Sequence, residues 1–200
     1  MNILVAGATG KTGARLVRKL QQDGHVPIAM HRASSDTSML PEGVQLREAD
    51  LTDLSDEVCD GADVVIFAAG SGGDTDEEMT RKVDRDGAKR LIDIAAKQHV
   101  GRFVMLSSVG AGDPDPDSDL AQYLEAKHEA DEHLKRSGLT YTIVRPVALT
   151  DDDETGNVRL GDDVDPEGKA ARGDVAAIMA RAVGDDILAG KTFLLETVYD

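Results

Sequence analysis

The chain has 200 residues, 40% of them hydrophobic, with 20 Gly and only 6 Pro, which suits one domain with a sizeable core and excludes wholesale disorder. Trp is absent and Phe and Tyr number 3 each, so the core falls to Val, Ile, Leu, Ala and Met, and aromatic platforms for single-stranded nucleic acid are not expected. Asp and Glu total 38 against 22 Lys and Arg, a formal charge of −16 that repels phosphate backbones, and no Lys/Arg run offsets it, so no nucleic-acid partner is expected.

In chain order, Asn2 to Ala6 is a short apolar run that stops at a glycine cluster, and Leu16, Val17 and Leu20 then recur at helical spacing. His25 to His31 and Val44 to Glu48 read as strands, and Asp63 to Ala69 as a strand buried on both faces, as parallel sheets require. Ser71 to Asp76 is a glycine- and acid-rich connection, read as a flexible loop. Glu77 to His99 carries helical periodicity through Val83, Ala88, Leu91, Ile92 and Ala95, and Arg102 to Ser107 follows as a fifth strand. Leu120 to Ser137 is helical and closed by Gly138; Tyr141 to Val144 is a strand ended by Pro146; a helix over Asp174 to Val183 and a strand over Thr192 to Thr197 complete the chain. This alternation predicts an α/β fold, a doubly wound parallel sheet in a three-layer α/β/α arrangement, as a single domain over 1–200 without linker or repeat.

Cys59 is the only cysteine, so no intrachain disulfide is expected and Cys59 reads as a small buried hydrophobe. The longest strongly apolar stretch, Val64 to Ala69, is too short to cross a bilayer, and the start has no charged region or cleavage site, so a cytoplasmic protein with no membrane partner is expected. The five histidines lack metal-ligand spacing, so no metal is expected. Nothing in the sequence fixes the oligomeric state.

In doubly wound sheets ligands bind beyond the carboxyl ends of the strands, and the motifs fall there. The turn Gly7-Ala8-Thr9-Gly10-Lys11-Thr12-Gly13 joins the first strand to the first helix, where glycines let main-chain amides at a helix N-terminus approach a phosphate. A mononucleotide P-loop would need a Gly five residues before Gly10, where Val5 stands. The turn therefore reads as the dinucleotide-binding element of a Rossmann fold. After the second strand comes His31-Arg32-Ala33-Ser34-Ser35, with no acid for a ribose 2′-hydroxyl and an Arg suited to a 2′-phosphate, which favours NADP over NAD.

Tyr123 and Lys127 are four apart on a predicted helix and share one face. A phenol with a pKa near ~10 is a poor acid at neutral pH, and an adjacent ammonium stabilises its phenolate. Such a tyrosine can exchange a proton with a carbonyl or alcohol oxygen while a nicotinamide exchanges hydride with the carbon. Ser107 and Ser108 close the fifth strand; alternation sends them to opposite faces, and Ser108 is favoured as the residue that orients the substrate oxygen.

These residues together resemble the short-chain dehydrogenase/reductase superfamily, in its atypical NAD(P)-binding branch related to NmrA-like and flavin or biliverdin reductase proteins. The resemblance spans nearly the whole chain, through the glycine turn, Asp50-Leu51, Ala68-Ala69-Gly70, Ser107-Ser108, Tyr123 with Lys127, Arg145-Pro146 and Arg172-Gly173-Asp174-Val175-Ala176. It implies that Asp50 and Leu51 border the adenine, that Ala68 to Gly70 line the cofactor, that Lys127 also holds the nicotinamide ribose, and that Arg145, Pro146 and Val147 lie beside the carboxamide. Related extended enzymes carry an Asn in the helix after the fourth strand, where this chain has Asp84. They also add a large C-terminal substrate domain; here about 148–169 is left to form a lid over a small-molecule substrate.

The function expected is hydride transfer between NADP(H) and a small carbonyl, quinone or flavin-like acceptor, with Tyr123, Lys127 and Ser108 at the reacting end. Gly7, Thr9, Gly10, Lys11, Thr12, Gly13, His31 and Arg32 are expected at the phosphate end. The alternatives are a non-catalytic NADP(H)-sensing regulator, as some relatives of this branch are, and a sugar-nucleotide epimerase-like enzyme. The scattered acids suggest adaptation to a salty cytoplasm, because dense like charge must be screened before the compact state is favoured. The melting temperature is therefore expected to rise between low and molar KCl, measured by a thermal scan; an unchanged or falling value would remove that explanation of the acidic shell.

Overall fold

A computed structural model describes residues 1–70 and 77–199; the expectation for Ser71 to Asp76 lies outside the described residues. The expected strands form β1 (Asn2–Ala6), β2 (Val26–His31), β3 (Gln45–Glu48), β4 (Val64–Phe67), β5 (Arg102–Leu106) and β6 (Tyr141–Pro146). The helical stretches form α1 (Lys11–Gln22), α2 (Glu77–Thr80), α3 (Ala88–Lys97), α4 (Ala121–Arg136) and α5 (Arg172–Ala182). Three short strands follow β6, namely β7 (Ala148–Thr150), β8 (Val158–Leu160) and β9 (Lys169–Ala171), and the chain returns to the sheet as β10 (Lys191–Thr197).

The main sheet runs β3-β2-β1-β4-β5-β6-β10-β8. Neighbouring strands are parallel except at the last pair, where β8 runs antiparallel to β10 with Leu160 opposite Leu195. The chain winds outward from β1 to β3, then returns to β4 on the other side of β1, so the order reverses between β1 and β4 and a crevice opens at their carboxyl ends. This is a Rossmann-like fold. The antiparallel edge was not expected from the sequence: β8 has three residues, too few to show a period, within a segment dominated by acids.

Strand alternation sorts the core into two layers. Ile3, Val5, Ile66, Val104, Leu106 and Val144 pack toward α1 and α5 with Leu16, Leu20, Val175 and Met179. Leu4, Val65, Phe67, Phe103, Met105 and Ile143 pack toward α3 and α4 with Leu91, Ile92, Ala130 and Leu134. Cys59 is buried in this second layer, and burial pushes its thiol up to about 12, which leaves it an inert apolar filler. No helix among the described residues is long and apolar enough to cross a membrane.

The helix expected over 77–99 is not uniform, for a π-helical stretch, Arg81–Gly87, separates α2 from α3. Gly87 ends that stretch against the Leu51 carbonyl, where a Cβ would come within 2.8 Å of the oxygen. Such widened turns recur at functional sites, and this one carries the fully buried Asp84.

The acidic segment after β7 is fastened by the buried Asp174 in the first turn of α5. Its carboxylate accepts from the Thr155 amide at 2.8 Å, the Gly156 amide at 2.9 Å, the Thr155 hydroxyl at 2.9 Å and the Thr197 hydroxyl at 2.7 Å. Next to it, a Cβ on Gly173 would overlap the backbone at Glu154, so the segment lies directly on the start of α5. Asp174→Ala would leave these donors without their acceptor, and it is expected to lower unfolding free energy by about 2–4 kcal/mol in urea titration.

Candidate cofactor and active-site cleft

Gly7 has φ +81°, and a Cβ there would lie 2.6 Å from the Ala69 Cα, so only glycine lets the end of β1 touch the end of β4. The Gly10 amide donates to the Gly7 carbonyl at 3.0 Å and closes the turn. A Cβ on Gly13 would overlap that same carbonyl, so Gly13 serves the packing of α1 on the turn and does not face the crevice. Gly10 stands at the N-cap of α1 without a side-chain cap, and no acid occupies the first turn. A helix N-terminus in this condition keeps main-chain donors and its positive dipole end for an anion.

The crevice has two lobes that share Gly10, Ala68, Ala69 and Gly70. The first, of about 550 Å³, continues from Gly7 and Thr9 past His31, Arg32 and Ser35 to Asp50, Leu51 and Thr52. Asp50 is the one acid among the described residues that line it, and its Oδ1 accepts from the amide and the hydroxyl of Thr52, both at 2.8 Å. The Thr52 amide, followed by the Thr52 hydroxyl, holds this carboxyl below the usual range. Asp50 Oδ1 is thus engaged within its own turn, and Arg32 is the one Lys or Arg side chain among the described residues that line the first lobe.

The second lobe, of about 560 Å³, is bordered by Lys11 and Thr12 from the glycine turn, Ser107 from the end of β5, Tyr123 and Lys127 from α4, and Arg172 from α5. Tyr123, Lys127 and Asp131 follow at four-residue spacing down one face of α4. Lys127 is 2% exposed and its Nζ lies 2.9 Å from Asp84 Oδ1. The same ammonium donates to the Ala69 and Leu106 carbonyls, each at 3.3 Å, and sits 5.7 Å from the centre of the Tyr123 ring. Burial alone would pull its pKa down, but the Asp84 carboxylate, then Tyr123, outweigh that and raise it above the ordinary lysine value.

Deeper along α4, Asp131 is fully buried. Its Oδ2 accepts from the Ser107 hydroxyl at 2.8 Å and from Arg145 Nε and Nη2 at 3.0 and 2.9 Å. Burial pushes the Asp131 carboxyl up, and Arg145 followed by the Ser107 hydroxyl pulls against it without cancelling. Its other oxygen, Oδ1, is buried and has no hydrogen-bond partner among the described residues.

The structure therefore brings together most of the residues singled out by sequence and rearranges a few. Gly7, Thr9, Gly10, Lys11, Thr12, His31, Arg32, Asp50, Leu51, Ala68, Ala69, Gly70, Tyr123 and Lys127 border the crevice. Ser108 does not; Ser107 takes the place expected for it. The reason is register: Phe103 and Met105 face α4, so Ser107 shares their side and Ser108 turns away. Arg145, Pro146 and Val147 also stay out of the crevice. Arg145 shares the face of Tyr141 and Ile143 and is clamped to Asp131, while Pro146 and Val147 are buried. Asp131 and Arg172 were not assigned sites from the sequence; the four-residue repeat from Tyr123 through Lys127 to Asp131 was the available signal for the first.

Removing one charge of a buried pair costs more than the pair itself contributes. Asp84→Asn is accordingly expected to destabilise the protein by about 3–5 kcal/mol in urea. Because the folded pKa of Lys127 is raised, its stabilisation is fully present below the ordinary lysine value of 10.5 and is lost only as pH rises through the higher folded value. The wild-type advantage over Asp84→Asn is therefore expected to hold from neutral pH to about 10.

The family model described as NAD(P)H-binding matches residues 7–186. A Bacillus subtilis protein named as an uncharacterized sugar epimerase, YhfK, is 34% identical over 199 residues, which cover 96% of this chain and 92% of that protein. A solved structure from Bacillus halodurans, provisionally described as an NAD-dependent epimerase/dehydratase, is 38% identical with a TM-score of 0.91, covering 99% of this chain and 94% of the other. ChuY from Escherichia coli O157:H7, described as an anaerobillin reductase, is 27% identical with a TM-score of 0.82 over 98% of this chain and 97% of its own. The glycine cradle, the two-lobed crevice and these similarities place the chain in the NAD(P)H-binding family of Rossmann proteins, within the atypical short-chain dehydrogenase/reductase branch.

Proposed function

We propose that the protein is an NADP-dependent reductase acting on a small carbonyl, quinone or flavin-like acceptor. The observation that carries this reading is the joining of two lobes at one glycine turn, with a cation suited to a 2′-phosphate in the first and a Tyr-Lys-Ser constellation in the second. The uncapped start of α1 would hold the pyrophosphate, Arg32 with Ser35 the 2′-phosphate, and Leu51 the purine face. When bound, the reduced nicotinamide supplies the hydride.

Tyr123 gives the proton from its phenolic oxygen to the substrate oxygen, and the Lys127 charge beside the ring favours the phenolate left behind. Lys127 acts from a fixed position, since Asp84 and two carbonyls hold its ammonium. Those bonds leave it little freedom to grip a ribose as well, so its part here is electrostatic. The Ser107 hydroxyl donates its hydrogen to Asp131, so it turns lone pairs to the lobe and positions a substrate hydroxyl or N–H. Leu149 borders the same lobe, which supports the 148–169 segment as its cover.

Oxidation of NADPH, followed by absorbance with a panel of quinones, flavins and small ketones, tests the reading. Tyr123→Phe is expected to lower kcat at least about 100-fold, Ser107→Ala about 10-fold or more with acceptors that carry an N–H or hydroxyl, such as flavins, and Ser108→Ala no more than about twofold. Tight NADP binding without turnover of any acceptor would favour the sensing role instead.

A further inference from the structure

In the second lobe the side chains of Lys11 and Arg172 are bridged by a carboxylate that belongs to the chain itself. Asp151 Oδ2 lies 2.6 Å from Lys11 Nζ and its Oδ1 accepts from Arg172 Nη1 at 2.8 Å, one oxygen for each cation. Arg15 adds a third donor, to the Asp151 carbonyl at 2.6 Å. The neighbouring acids turn elsewhere: Asp152 accepts from Thr150 and Tyr199, and Glu154 lies 3.5 Å from Lys19. The described lining of the lobe carries acids as well, Glu77 and Asp119, but the Lys11 and Arg172 pair within it already accepts a carboxylate.

The Asp151 bridge is cheap to break. Its side chain is 55% exposed and that of Lys11 65%, and exposed ion pairs contribute little because water and salt compete for both charges. Arg172 is the anchored partner, 21% exposed. Beside the pair, Leu120 and Leu149 border the same lobe at 58% and 36% exposure. An apolar wall that ends at two cations matches a ligand with a flat apolar body and an acid group at one end.

We propose that Lys11 and Arg172 form a carboxylate subsite, that Asp151 occupies it as a stand-in, and that the substrates are amphipathic carboxylic acids whose reducible body lies along Leu120 and Leu149. The inference rests on the reductase reading of this lobe and names its substrate class. The diphosphate of the cofactor is the other anion that could reach these cations, through the adjacent Gly10. Lys11 and Arg172 border the lobe of Tyr123 and not that of Arg32, which favours the substrate.

The test is calorimetry on the full chain saturated with NADP+, with a naphthoquinone carboxylate and its methyl ester as probes, so that binding is read without turnover. The acid is expected to bind at least about 10-fold tighter than the ester. Arg172→Gln and Lys11→Gln should each bring the two probes within about threefold, and Asp151→Asn should tighten the acid alone by removing its competitor. Equal binding of acid and ester by the wild type would overturn the subsite while leaving the reductase reading in place. A loss of NADP+ affinity in Arg172→Gln as large as the loss for the acid would assign the cations to the cofactor and overturn it equally. Absence of NADP+ binding by the wild type would defeat the reductase reading, and the subsite with it.

Discussion

A buried lysine is tolerated only where its charge is matched, and Lys127 meets that condition through Asp84. Neither side chain reaches solvent appreciably, at 3% and 0% exposed, so the pair must form whenever the protein folds with Lys127 charged. That requirement ties α4 to the π-helical stretch across the crevice end of the sheet. The Ala69 and Leu106 carbonyls at the ends of β4 and β5 take further bonds from the same ammonium. One cation therefore sets the position of four elements around the second lobe, and Tyr123 inherits its place from them, one helical turn away. A widened helical turn is a reasonable host for Asp84, because it swings a side chain out of the regular repeat.

The second polar centre behind the lobe, Asp131 with Ser107 and Arg145, follows the same logic one turn deeper on α4. One oxygen of this fully buried carboxylate, Oδ2, is satisfied from both neighbouring strands, a hydroxyl just after β5 and a guanidinium on β6 coming from positions that alternation aims at α4. The consequence for chemistry is directional. A hydroxyl whose hydrogen is taken from behind offers only lone pairs in front. Acids elsewhere are divided in their roles: Asp174 fastens the segment after β7, while Asp151 on that same fastened segment bridges Lys11 and Arg172.

Much of this was legible in the sequence because the physics is local. Asn2 to Ala6 and Asp63 to Ala69 read as strands from apolar runs, and the glycine turn read as the junction of β1 with α1; the φ of Gly7 and its contact with Ala69 add a main-chain approach of β1 to the end of β4. Tyr123 and Lys127 were found because helical spacing places them on one face. The strands β7, β8 and β9 were not legible, since three residues carry no period. Ser107 and Arg145 were misplaced for a different reason. The alternation that orients them was present in Phe103, Met105, Tyr141 and Ile143, but which face holds α4 is a property of the whole topology and not of either strand. The π-helical stretch likewise depends on tertiary contact, at Gly87 against Leu51, which no local pattern encodes.

All of these assignments converge on a crevice shaped for a pyridine dinucleotide, for which we propose a phosphate on the adenosine ribose. Calorimetric titration of the wild-type protein and of Arg32→Ala with NADPH and NADH examines that directly. The account predicts binding of NADPH at least about 10-fold tighter than NADH, with the preference abolished in Arg32→Ala. No heat with either dinucleotide at millimolar concentration, or equal loss of both affinities in the variant, would contradict it.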